Sequence, residues 1–217
     1  MDRYKETFET WNKVASLYRD RFMDLDLYNG TYDLVCGAVT KPGAAILDIG
    51  CGPGNISRYL LTKRPDFRIH GIDVAPNMVA LARENNPAAR FDVMDCREID
   101  RLESRYDGIV CGFCLPYLSP SDCRKLFSDA YGLLHENGLL YLSFVEGDPE
   151  RSGYVAGSTC DRSYFYYHDA DTLQKELTGS GFGAPETYTA AYKKSAEETD
   201  YHTIWTTMKT THENSRE

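Results

Sequence analysis

Residues 46 to 54 read Ile-Leu-Asp-Ile-Gly-Cys-Gly-Pro-Gly. A short apolar run carries a carboxylate, Asp48, and leads into a turn with Gly50, Gly52 and Gly54. A helix-like run, Asn55 to Lys63, follows. Glycine permits positive φ and lets a ligand approach bare backbone. Strand, glycine turn and helix in this order open a ligand-binding βαβ unit, as in the pattern G-x-G-x-x-G. This stretch misses that pattern, because position 55 is Asn and the third glycine comes one residue early.

The departure has chemical content. A pyrophosphate needs free backbone N–H groups at a helix N-terminus. Pro53 removes one of them, and Asp48 would repel phosphate. A carboxylate there suits a ligand with an ammonium group near the glycines. S-adenosylmethionine has that layout: an amino acid end, a sulfonium, a ribose and an adenine.

The stretch resembles the first motif of class I S-adenosylmethionine-dependent methyltransferases, and further matches follow in order. His70-Gly71-Ile72-Asp73 is similar to the second strand, with its acidic residue 19 positions after Gly54, near the spacing of about 20 for a ribose-binding carboxylate. Val74 to Met78 resembles the turn into the next helix. Phe91 to Cys96 resembles the third strand with its adenine-contacting Asp95, Tyr106 to Cys111 the fourth, and Gly138 to Ser143 the fifth. The resemblance covers residues 42–146 and, more loosely, 164–209.

The resemblance implies methyl transfer from S-adenosylmethionine, leaving S-adenosylhomocysteine. Gly50, Cys51 and Gly52 would offer backbone to the methionine end, and Asp48 would act through water or brace the turn. Asp73 would accept from the ribose hydroxyls, and Val74 and Met78 would pack the adenine. Asp95 would accept from the adenine amino group, and the Cys96 N–H would donate to the ring. The Cys111 or Gly112 carbonyl would receive the ammonium. Trp11 and Tyr18 read either as helix core or as a lid, with the Tyr18 hydroxyl on the cofactor carboxylate.

Apolar positions at Tyr4, Phe8, Trp11, Val14, Ala15, Tyr18 and Phe22 mark an amphipathic helix over 3–23, from steps of three and four. A second helix is expected over 32–39. Strands follow near 45–49, 67–73, 89–94, 106–112 and 138–145, with helices near 54–63, 76–85 and 121–135. Such alternation gives a parallel sheet with right-handed crossovers. A helix over 169–178 and strands near 185–192 and 200–210 complete the chain. The expected fold is α/β: a Rossmann-like, doubly wound, seven-stranded, mostly parallel sheet, with an antiparallel C-terminal hairpin, helices on both faces and an N-terminal helical lid. One domain, 1–217, would comprise a helical cap (1–41), a cofactor-binding core (42–146), a substrate loop (147–168) and a C-terminal helix with a strand pair (169–210). The polar run 211–217 is expected to fray.

Methyl transfer from a sulfonium needs chiefly in-line positioning, and a base only if the acceptor must lose a proton. Cys114-Leu115-Pro116-Tyr117 lacks the leading Asn or Asp and the first Pro of amino-group DNA methyltransferases. No Pro-Cys nucleophile is present, and Glu146 has no partner for a double-glutamate loop. A small-molecule acceptor is expected. Tyr117, Arg151, Arg162, Tyr164 and Tyr166 are candidates to bind it, and His168, which titrates near neutrality, is a candidate base. The same stretch reads alternatively as a short strand with one buried aromatic face, and His168 as a helix-start residue.

The formal net charge of −9 speaks against a nucleic-acid partner, whose phosphates need clustered Lys and Arg. Seven cysteines at irregular spacings read as reduced thiols, and no metal is expected. The charged start (Asp2, Arg3, Lys5, Glu6) is unlike a secretory leader, and no apolar run approaches the roughly 20 residues of a membrane span. A soluble cytoplasmic protein is expected, as a monomer or homodimer. Two readings remain beside the leading one: a non-catalytic S-adenosylmethionine-binding regulator, and an NAD(P)-dependent oxidoreductase, which the missing G-x-G-x-x-G pattern and Asp48 before the turn disfavour.

Overall fold

The computed structural model describes residues 3–157, 159–193 and 198–210; the run 211–217 lies outside them. Three helices, α1 (Arg3–Lys13), α2 (Ala15–Phe22) and α3 (Asn29–Ala38), precede β1 (Ala45–Ile49). The alternating core then runs α4 (Asn55–Lys63), β2 (Arg68–Asp73), α5 (Pro76–Asn85), β3 (Arg90–Val93), β4 (Tyr106–Cys111), α6 (Pro120–Leu133) and β5 (Leu134–Val145). A separate hairpin, β6 (Gly153–Ala156) and β7 (Arg162–Phe165), leads to α7 (Ala170–Gly179), β8 (Glu186–Lys193) and β9 (Thr199–Met208).

The main sheet has the order β3-β2-β1-β4-β5-β9-β8. Pairs from β3 to β5 are parallel, and β9 runs antiparallel to both β5 and β8. Alternate residues supply opposite faces, as pleating requires. Leu47, Ile109, Leu140 and Trp205 pack with Phe127 of α6 and Leu177 of α7. Ile46, Val110, Tyr141 and Ile204 pack with Val35 of α3 and Leu60 of α4. The strand order reverses between β1 and β4, which opens a crevice at their carboxyl ends, where doubly wound sheets bind ligands.

Local chemistry sets the helix starts. Ser119 accepts from the Asp122 N–H and Pro120 occupies the first turn of α6; Asp169 accepts from the Thr172 N–H at α7. Both are side-chain N-caps that satisfy an otherwise unpaired donor.

Three expectations need correction. The helix over 3–23 breaks at Val14 (φ −92°, ψ 10°). Its periodicity hides the break, because Val14 N–H still donates to Thr10 and Tyr18 N–H to Val14. Helix α6 stops at Leu133, not 135, and β5 begins at once; the register with β4 then jumps from Tyr106↔Leu134 to Gly108↔Leu139, with Asn137 at φ 59° in the bulge. The stretch 147–168 contains the β6–β7 hairpin, which packs beside α1 through the Tyr164 N–H donating to Thr7 Oγ1 (2.9 Å).

Candidate cofactor and acceptor site

The glycine turn between β1 and α4 is pinned on several sides. Gly50 and Gly54 take positive φ (66° and 83°), which glycine does without a Cβ penalty. Cys51 N–H donates to the Ile72 carbonyl of β2 (3.0 Å). Asn85, the last residue of α5, and Asn86, which follows it, donate to the Pro53 and Gly54 carbonyls (2.9 and 3.0 Å).

Asp73, at the tip of β2, faces this turn. Its Oδ2 accepts from Gly52 N–H (2.9 Å) and its Oδ1 from Ala75 N–H (2.8 Å). Burial pushes its pKa up, against those two donors. A carboxylate offers about four acceptor positions, so Asp73 keeps capacity for further donors. Asp48 lies behind the turn, fully buried. Its Oδ2 accepts from Ser57 Oγ (2.6 Å) and its Oδ1 has no partner; burial pushes its pKa up to about 6.

The crevice forms an open cavity lined by 17 residues. Of the expected cofactor residues, Tyr18, Gly50, Gly52, Asp73, Val74, Met78, Asp95, Cys96 and Gly112 line it. Asp48, Cys51 and Cys111 do not: the Cys51 side chain packs with Val79, Ala82 and Phe91, and Cys111 is in the main core. Both cysteines sit beside the turn or strand tip and can offer only backbone. Asp95 is held by Arg97, whose Nε donates to both carboxylate oxygens (3.0 Å each). The Arg97 guanidinium lies over the Tyr4 ring at 4.0 Å, joining this edge of the cavity to α1.

Helix α1 forms the cavity's far wall through Thr7, Phe8 and Trp11. Tyr4 donates to Asp122 and accepts from Ser119 N–H, which ties α1 to the start of α6. Trp11 meets Tyr18 and Tyr117 edge-on, with centroids 5.6 and 5.3 Å apart. Tyr18 has its pKa pushed up to about 12 by burial and by Asp73.

The expected substrate residues fare differently. Tyr117 lines the cavity; Arg151, Arg162, Tyr164 and Tyr166 are not among its lining residues, and Arg162 and Tyr164 are engaged by Glu6 and Thr7 of α1 instead. Arg162 pairs with Glu6 (2.7 Å), Arg151 lies over Tyr167, and Arg3 covers Tyr164 and Tyr166. His168, the expected candidate base, is also outside the cavity lining. It is 3% exposed, its Nε2 donates to the Leu115 carbonyl (2.9 Å), and burial lowers its pKa.

Residues missed in the sequence also line the cavity: Thr7, Phe8, Met94, Phe113, Cys114 and Leu118. Phe8 belongs to the apolar face of α1 and carried a signal. Phe113 carried none: its placement depends on positive φ (58°) and on its N–H donating to Ser143 Oγ (2.7 Å).

Residues 46–138 match the family described as a methyltransferase domain. The carboxy-S-adenosyl-L-methionine synthase of Chromohalobacter salexigens is 29% identical over 175 residues, covering 76% of this chain and 64% of that protein. Across eight curated relatives the match spans 20% to 64% of the relative's length. Among solved structures, magnesium protoporphyrin IX methyltransferase from Synechocystis PCC 6803 superposes with a TM-score of 0.71 at 19% identity, over 97% of this chain and 98% of that one. The 1,6-didemethyltoxoflavin-N1-methyltransferase of Burkholderia thailandensis gives a TM-score of 0.71 at 21% identity, over 95% and 88%. Residues 46–138, carried on the strands that flank the crevice, are thus similar in sequence to methyltransferase domains, and the sheet around them has the fold of the solved methyltransferases named above.

Proposed function

We propose that the crevice binds S-adenosylmethionine and that the protein transfers its methyl group to a small-molecule acceptor by in-line displacement. The observation that carries this reading is Asp73, an acceptor-rich carboxylate in the cavity wall that already braces the glycine turn. The residues fit the ligand. Asp73 can take the two ribose hydroxyls, and Val74 and Met78 can pack the adenine, with Asp95 and the Cys96 N–H at its polar edge. Gly50, Gly52 and Gly112 leave backbone open to the amino acid end, and the unpaired Oδ1 of Asp48 supports an ammonium nearby. Tyr18 would donate to the cofactor carboxylate. The bound cofactor supplies an activated methyl group; the chain's part is orientation and exclusion of water.

In the same reading residues 3–41 act as the cap, and the protein works in the cytoplasm without a nucleic-acid partner. No helix among the described residues is long and apolar enough to cross a membrane.

The test is calorimetry and thermal melting with S-adenosylmethionine, S-adenosylhomocysteine and NADH. A ligand at 100 times its Kd stabilises by about 2.7 kcal/mol, or about 5–11 °C for a domain of this size. The adenosyl ligands should raise Tm and NADH should not, and Asp73→Ala should weaken adenosyl binding at least tenfold. A shift with NADH alone, or unchanged affinity in the variant, would overturn the reading.

A further inference from the structure

The cavity's walls and charges bear on what can be methylated there. Tyr18, Trp11, Tyr117 and Phe113 give it an aromatic side, held rigid by the edge-on contacts of Trp11 with both tyrosines and by packing of Phe113 on Tyr28 (4.8 Å) and His202 (5.2 Å). Among the described residues that line the cavity none is Lys, Arg or His. The nearby guanidiniums are turned to other partners: Arg97 to Asp95, Arg162 to Glu6 and Arg21 to the Tyr192 hydroxyl. Asp73 adds negative charge, with Asp48 behind it. A carboxylate or phosphate on the acceptor would be desolvated there with no cationic side chain to pair with, which is costly; a cation would face ring quadrupoles that attract it.

The same lining offers no ready proton acceptor. Burial keeps the Tyr18 and Tyr117 hydroxyls protonated at neutral pH. Hydrogen bonding to Cys114 and burial do the same for the Cys96 thiol. Asp95 is engaged by Arg97, and Asp73 by two backbone N–H groups and, in the function proposed above, by the two ribose hydroxyls. The imidazole of His168 lies outside the lining, bonded to Leu115.

We propose that the acceptor is an uncharged, flat molecule whose nucleophile is a nitrogen or sulfur with a free lone pair, such as a pyridine-like ring nitrogen or an aryl thioether, and that its methylated product leaves as a cation. This rests on the function proposed above and narrows it to a substrate class. The acceptor's lone pair forms the new bond to the methyl carbon as the carbon–sulfur bond breaks. The bonding pair stays on sulfur, the positive charge passes from sulfur to the acceptor atom, and no proton moves. One positive charge thus occupies the cavity before and after the transfer, which suits walls of fixed aromatic and carboxylate character.

The test uses the full chain saturated with S-adenosylhomocysteine, titrated by calorimetry with three probes of one shape: quinoline, N-methylquinolinium and 2-naphthoate. Quinoline and N-methylquinolinium should each bind at least tenfold more tightly than 2-naphthoate. Equal or tighter binding of 2-naphthoate, or binding of none of the three at millimolar concentration, would overturn the inference while leaving the methyltransferase reading intact. Failure of S-adenosylhomocysteine itself to bind would instead remove the reading beneath it.

Discussion

Asp48 sits at the end of β1 with no exposed surface and one carboxylate oxygen unpaired. Burial holds its pKa near 6, opposed by Ser57 and reinforced by Asp73; Cys51 and Tyr32 also feel its charge. A carboxyl whose folded pKa is raised favours the folded state fully below its unfolded pKa, and that advantage is lost as pH rises through the folded value. The window therefore runs from about pH 4 to about pH 6, and the shift corresponds to on the order of 3 kcal/mol. Asp48→Asn cannot titrate. The stability of Asp48→Asn relative to the parent should rise across that window and level off above it, measured by urea unfolding at pH 4, 5, 6 and 7. A difference independent of pH would show that the buried charge is compensated in the folded protein.

At the scale of elements, α4 and α5 meet across a glycine that leaves no room for a side chain. A Cβ on Gly54 would stand 2.4 Å from Asn86 Nδ2 and 3.2 Å from Ala82 Cα, at φ +83°. A left-handed conformation costs an L-residue roughly 1–2 kcal/mol, and overpacking about 1–3 more. Gly54→Ala should therefore lower Tm by about 4–20 °C at roughly 2–4 °C per kcal/mol. Gly30→Ala is the control: nothing stands within 4 Å of its Cβ position, so Tm should hold or rise slightly. A Gly54→Ala protein as stable as the parent would mean that Asn86 can swing away and that its bond to the Gly54 carbonyl matters little.

Elements also separate what was legible in the sequence from what was not. Strands of the parallel core could be read closely because each is a short apolar run between turn residues; β1 and α5 have the expected limits. The cavity residues at strand tips could be read for the same reason, since the sequence preserves the order of those tips. The wall that α1 builds could not. Which element stands between β7 and the crevice depends on how α1 packs, and α1 is separated from β7 by about 150 residues. Arg151, Arg162 and Tyr164 were drawn to the crevice by their place after β5. Glu6, Arg3 and Tyr167 then engage them elsewhere, partnerships that no local pattern announces. His168 has the composition of a base and the surroundings of a core residue.

Across the whole molecule, the sheet divides labour between its two halves. The parallel half ends in the glycine turn, Asp73 and Asp95, while the β5-β9-β8 half contributes packing: Phe144 meets Trp205 at 4.7 Å, and Tyr141 reaches Thr31 of α3 through its hydroxyl (3.0 Å). The two tryptophans of the chain fall one on each side of this division. Trp11 stands in the cavity wall, and Trp205 is 2% exposed in the core. The protein therefore carries its own optical reporter and its own reference. Occupation of the cavity should change the intensity or colour of the emission from the wall indole, while the core indole keeps a constant blue signal. In Trp11→Phe the ligand-dependent part of the emission should vanish and the constant part persist. A ligand response that survives that replacement would have to come from Trp205, and would mean that filling the crevice is felt through the sheet to its far half.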